Sequence, residues 1–320
     1  MSTQRTSREA GLPLPAIAAL AGVAWWVIGY LPWVITGFDG SPDLYSLDAD
    51  YHTALPLHGY GARLMFEYGL FGGICASAVG LVSGGRRTAT YIATLIGMAS
   101  AILVTLLQSY VAVQMAEAPL RGTDPLTLGV LAVACISGSL SGWALAWVAT
   151  LGRAWLGIVI SVLSGTAPWW IIDLGIQCAN TLSRISGGTL DLRSLADEAL
   201  PWSWLVLLAI ALIIIGARPP SRLMLWPVAV LISWFAVAPG TALAVTTIAT
   251  QYDDAPNNVV QTTWDIVMHL PDKEAVIKYA IAVGIAGIFT IGMRVWTDRH
   301  VSGRLAPTQS DESRFTTGSE

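Results

Sequence analysis

The chain has 320 residues, a formal net charge of -4, 54% hydrophobic residues and only 12% charged ones. Soluble domains carry about 25% charged residues, so this composition, with a mean hydropathy of +0.61 and 14 Trp, excludes an ordinary soluble domain. It also excludes a nucleic-acid binder, which needs a basic face, and predicts an all-α integral membrane protein of several spans.

In chain order, residues 1–12 form a polar tail carrying Arg5 and Arg8, expected to be disordered. The first apolar run, Leu14–Phe38, is too long for a signal-peptide core and lacks a convincing cleavage site. An acidic loop over 39–61 follows, without Lys or Arg. Span two covers about 62–84 and stops at Arg86 and Arg87. Spans three and four fall at about 88–115 and 125–150, and Arg153 separates the latter from span five, about 154–174. A second long loop (175–200) leads to a short span six at 201–217. ARPPSR then turns the chain into span seven, about 223–249. In the third loop, 250–272, Val260, Trp264, Val267 and Met268 share one face, as in a helix lying in the membrane interface. Span eight is about 275–294, and residues 297–320 form a polar tail expected to be disordered. The transmembrane helical domain thus covers 13–296, with about eight helices near the ~20 residues needed to cross hydrocarbon.

Charge sets the orientation. With the N and C termini cytoplasmic, the inner segments hold Arg5, Arg8, Arg86, Arg87, Arg153, Arg218, Arg222, Arg294, Arg299, Arg304 and Arg314. Every short inner turn is then basic, as the positive-inside rule requires. Spans one and five both end in a Trp pair followed by a long outer loop, a pattern compatible with a 4+4 parallel repeat.

Span two organises the rest. Gly69, Gly72, Gly73, Ala76, Ser77 and Gly80 recur at spacings of three and four, which lets neighbouring helices approach closely. Near its start lie Arg63 and Glu67, one helical turn apart. An acidic side chain at the centre of a membrane helix costs about 2.5–3.5 kcal/mol on insertion scales, so it persists where a partner, a cavity or a function holds it. Arg63, Glu67, Gln108, Gln114, Asp173 and Gln177 all fall in the outer half of their spans and are the candidate ligand-binding residues of an outward-facing polar cavity. The alternative for Arg63 and Glu67 is an i,i+4 ion pair that anchors a helix end.

Weaker catalytic candidates are Asp48, Asp50 and His52 of LDADYH, with His58 six residues on. Alternating carboxylate and imidazole groups suit a divalent metal or an acid/base pair, but an ordinary acidic loop has the same pattern, and no metal site is assigned. The placement of Asp48 and Asp50 in a first outer loop resembles the polytopic C-type glycosyltransferases that use polyprenyl phosphates. That resemblance implies a transferase acting at the outer face. Asp265 and His269 share a helical face and read as the wet side of the interfacial segment. ISGSLSG at 136–142 lacks the serine-protease G-x-S-G pattern and reads as helix packing through Gly138 and Gly142.

Without a P-loop motif the chain shows no nucleotide site, and Cys75, Cys135 and Cys178 have no metal-like spacing. No cofactor is implied. The expected partners are membrane lipids and other membrane proteins of an envelope complex, with no nucleic acid or nucleotide. The favoured function is a multi-pass protein of the bacterial inner (cell) membrane that assists transport or assembly of an envelope lipid or small solute. The alternatives are a scaffold subunit and the lipid-linked transferase.

Overall fold

A glycine on a membrane helix removes the side chain that would hold a neighbour's backbone away, so a row of glycines marks where two helices touch. In the computed structural model, which describes residues 12–36, 53–56, 61–82, 87–115, 125–186, 193–236, 264 and 273–304, that is how the first half of the chain is assembled. The elements are α1 (Leu14–Gly29), α2 (Leu31–Ile35), α3 (Ala62–Val82), α4 (Arg87–Met115), α5 (Pro125–Ala149), α6 (Arg153–Ser186) and α7 (Arg193–Ile215). A 3-10 turn, Pro220–Met224, then runs into α8 (225–236), and α9 is Lys273–Arg304. The described residues contain no strand.

Helix α3 is the hub, packed on α1, α4, α5 and α6. A Cβ on Gly138 of α5 would strike the carbonyl oxygen of Phe66, and one on Gly142 would strike that of Leu70. On α3 itself, Gly69 and Gly73 lie against the α5 backbone, and Gly72 lies against Trp25 and Gly29. Around these contacts Trp25, Tyr30, Met65, Met98 and Leu131 are fully buried. The indole N–H of Trp25 donates to Ser139 Oγ at 2.9 Å, and that hydroxyl donates to the Cys135 carbonyl at 2.7 Å. The polar edge of a deeply buried Trp is thereby satisfied. A second core joins Leu205, Leu208, Leu212 and Ile215 of α7 to Ala229 of α8 and to Ala282 and Ala286 of α9. Helix α6 touches both parts, meeting α2, α3 and α5 on one side and α7 on the other. Its Ser164 shares a 2.6 Å hydrogen bond with Ser233 of α8.

Five helical segments are long and apolar enough to cross a membrane: Ala62–Val82, Thr88–Met115, Leu128–Ala149, Arg153–Ser183 and Val276–Met293. Leu14–Gly29, Trp202–Ile215 and Pro220–Ala236 are apolar but shorter. Large apolar side chains such as Leu103, Leu107, Val133, Val206 and Ile288 are more than half exposed. A surface of that kind is compatible with a lipid-facing one in a multi-pass membrane protein.

Four boundaries differ from those read in the sequence, one being the start of α7 at Arg193 instead of 201. The first apolar run is two helices, broken at Tyr30 (φ -98°, ψ 21°). Pro32 stands in the first turn of α2, and without an N–H it cannot continue the hydrogen-bond ladder of α1. Helix α6 runs beyond 174 to Ser186, passing through Pro168. Its 34 residues span about 51 Å at ~1.5 Å per residue, well beyond the ~30 Å of hydrocarbon. Helix α9 continues beyond 296, where the sequence reading begins the polar tail, to Arg304. The candidate residues Asp48, Asp50, His52, His58, Asp265 and His269 lie outside the described residues.

Candidate functional site

Residues four apart on a helix share a face, so Arg63, Glu67 and Phe71 form one stripe on α3, with Tyr68 beside it. Across from that stripe α6 presents Trp169, Trp170, Asp173 and Gln177. The stretch from 169 to 177 is helical, which places Asp173 and Gln177 one turn apart.

Four of the six candidate ligand-binding residues meet at this seam. Arg63 Nε donates to Glu67 Oε1 at 2.8 Å, with the two side chains 15% and 2% exposed. The Arg63 guanidinium also lies 4.0 Å from the centroid of the Trp169 ring, close enough for a cation–π attraction. The Tyr68 hydroxyl donates to Asp173 Oδ2, and Gln177 Nε2 donates to Asp173 Oδ1 at 3.2 Å. Below these polar groups Phe71 stacks on Trp170 at 4.7 Å and 19°. The Trp170 indole N–H donates to the Gly29 carbonyl at 2.9 Å, so the seam is pinned to the end of α1. Tyr30 packs edge-on against Tyr68 at 5.4 Å, and its hydroxyl is 3.0 Å from Cys135 Sγ.

Satisfaction within this seam is unequal. Asp173 has donors on both carboxylate oxygens. Among the described residues Glu67 has one on Oε1 only, and Oε2 is buried without a hydrogen-bond partner. A buried acceptor with no donor costs about 1–3 kcal/mol, more when charged.

Gln108 and Gln114 have other roles. Gln108 Oε1 accepts from the Ala54 N–H at 2.7 Å, and the neighbouring Ser109 Oγ accepts from the Leu55 N–H at 3.0 Å. The indole N–H groups of Trp26 and Trp33 donate to the carbonyls of Ala54 and Thr53, each at 3.0 Å. Residues 53–56 are thus tied between α4 and the first two helices. Gln108→Ala should cost about 0.5–1.5 kcal/mol, the net worth of one hydrogen bond. Amide exchange at Ala54 and Leu55 should accelerate while exchange in α3 is unchanged. Gln114 is exposed near the end of α4.

A groove of about 390 Å³ opens beside the seam, but it is apolar, lined by Phe66, Leu70, Leu145, Val148 and Val162, with Ser141 and Thr166 as its polar members. Among the described residues no three His, Cys, Asp or Glu side chains gather as a metal would require. Sequence reasoning overlooked Tyr68, Trp169 and Trp170. Trp169 and Trp170 sit in an APWWIID stretch that also suits interfacial anchoring, and nothing local pairs Tyr68 with Asp173, which lies 105 positions away.

No family model, curated protein or solved structure matches the chain.

Proposed function

We propose that the α3–α6 seam is the binding site of a protein that moves or assembles a polar small solute or the headgroup of an envelope lipid. In this reading the chain crosses the bacterial inner membrane about eight times. Both termini are cytoplasmic, and the seam faces the outer side. The observation that carries the reading is the gathering of Arg63, Glu67, Tyr68, Asp173 and Gln177 between two apolar helices. Charged groups placed in a membrane segment are costly and serve function by default. Their hydrogen-bonding geometry suits a ligand with both donor and acceptor groups, and the aromatic rings of Trp169 and Tyr68 suit its carbon skeleton.

The test is the ligand that accompanies the protein out of the membrane. Native mass spectrometry of the chain in membrane-derived nanodiscs should detect a bound polar lipid or solute. Arg63→Gln and Asp173→Asn should each lower its occupancy about 10–100-fold, since hydrogen bonds to charged groups are worth about 1.5–3 kcal/mol. Unchanged occupancy in both variants, at wild-type folded yield, would remove the seam from the mechanism.

A scaffold role is the second reading, and α9 is the observation in its favour. Gly22, Gly69, Gly97 and Gly138 are each pressed against a neighbouring backbone, whereas Gly284, Gly287 and Gly292 of α9 have nothing within 4 Å among the described residues. Recovery of a stoichiometric partner crosslinked to Gly284→Cys would favour it over the first reading.

A further inference from the structure

The chemistry of the seam turns on one atom. Glu67 is 1% exposed, its Oε1 accepts from Arg63 Nε, and its Oε2 has less than 1 Å² of accessible surface and no hydrogen-bond partner. An oxygen of an ionised carboxylate that has left water without gaining a donor is held at high cost. That atom is closed to water in this arrangement. The charged and titratable groups around it are few. Its own helix supplies Arg63 and Tyr68, and α6 supplies Asp173 beside the Trp169 ring. The Tyr30 hydroxyl of the first apolar run reaches the cluster through the Tyr68 ring, and Cys135 of α5 through Tyr30. Residues 88–115 of α4 contain no Asp, Glu, His, Lys or Arg.

We infer that Oε2 of Glu67 is a proton-binding site, and that the seam works with a proton as its coupling ion. For its use this rests on the proposed function; for its chemistry it stands on the unpartnered oxygen. In the exchange one O–H bond of a hydronium ion at the Arg63 end breaks, leaving water, and an O–H bond forms at Oε2. The ion pair becomes a neutral carboxylic acid beside a guanidinium that keeps its charge. Arg63, the more exposed member of the pair, is then released toward an anionic group on the ligand. Proton and anion load together, and the seam gains no net charge.

Difference infrared spectroscopy of the full chain in liposomes tests this directly. On acidification a protonated-carboxyl stretch should appear at the frequency of a dry acid. It should shift when the protein is isotope-labelled at the glutamate carboxyls, and it should be lost completely in Glu67→Gln. The labelled wild-type protein keeps the test valid if the variant does not fold, because Glu67 is the one glutamate inside an apolar run of the sequence. Absence of the band, failure to shift on labelling, or its persistence in a folded Glu67→Gln would overturn the inference. A band that behaves as expected while ligand occupancy ignores Arg63 and Asp173 would leave the proton site standing and remove the ligand site. Ligand loss without the band would do the reverse.

Discussion

Gly138→Ala is expected to leave little folded protein. The added Cβ would overlap the carbonyl oxygen of Phe66, and the obstruction is main chain that no rotamer change relieves. Overpacking by side chains costs about 1–3 kcal/mol, and a backbone collision at the α3–α5 contact should exceed that. Against a total stability of about 5–15 kcal/mol, the loss is decisive. Gly129→Ala on the same helix is the control, since nothing among the described residues lies within 4 Å of that position and alanine is the better helix former by about 0.8–1 kcal/mol. Detergent-solubilised yield and thermal midpoint should fall for the first variant and hold or rise for the second. Equal behaviour of the two would mean that α3 and α5 do not meet through their glycines.

The second large effect is expected at Arg63. Arg63→Met keeps much of the stem that packs near Trp169 but strips Glu67 of its only hydrogen-bond donor among the described residues. Removing one member of a buried ion pair destabilises by about 3–5 kcal/mol, whereas replacing both by apolar residues is often neutral. The 15% exposure of the Arg63 side chain puts the expected loss toward the lower figure. Arg63→Met/Glu67→Met should therefore recover most of the stability lost by the single change, and a double-mutant cycle of unfolding free energies measures the difference. If Arg63→Met is as stable as wild type, the pair is a solvated helix-end contact and the seam carries no buried charge.

What the sequence made legible is the local part of this arrangement. Glycines three and four apart on span two marked the contact face. The i,i+4 spacing of Arg63 and Glu67 marked their pair, because both are consequences of helical period within one segment. Asp173 and Gln177 have the same spacing, but the chain after 174 reads as a loop through its polar residues. In the structure the helix continues to Ser186. Meetings between distant segments left no comparable trace. Tyr68 and Asp173 pair across 105 positions, and a tyrosine near a helix end looks like an interfacial anchor. Gln108 looked like a lining residue of the same recess, yet its acceptor is used by the Ala54 amide, a main-chain partner that no side-chain pattern announces.

The close glycine contacts of α1, α3, α4 and α5 are made among those four helices alone. During vectorial synthesis every partner in that set has been synthesised once Ala149 has been added. The amino-terminal bundle can therefore lock before α7, α8 and α9 exist. Helix α6 would then dock on a finished surface and act as the template on which the remaining helices choose their positions. Errors made late in biogenesis would spare the Glu67 side of the seam and fall on the carboxy-terminal helices.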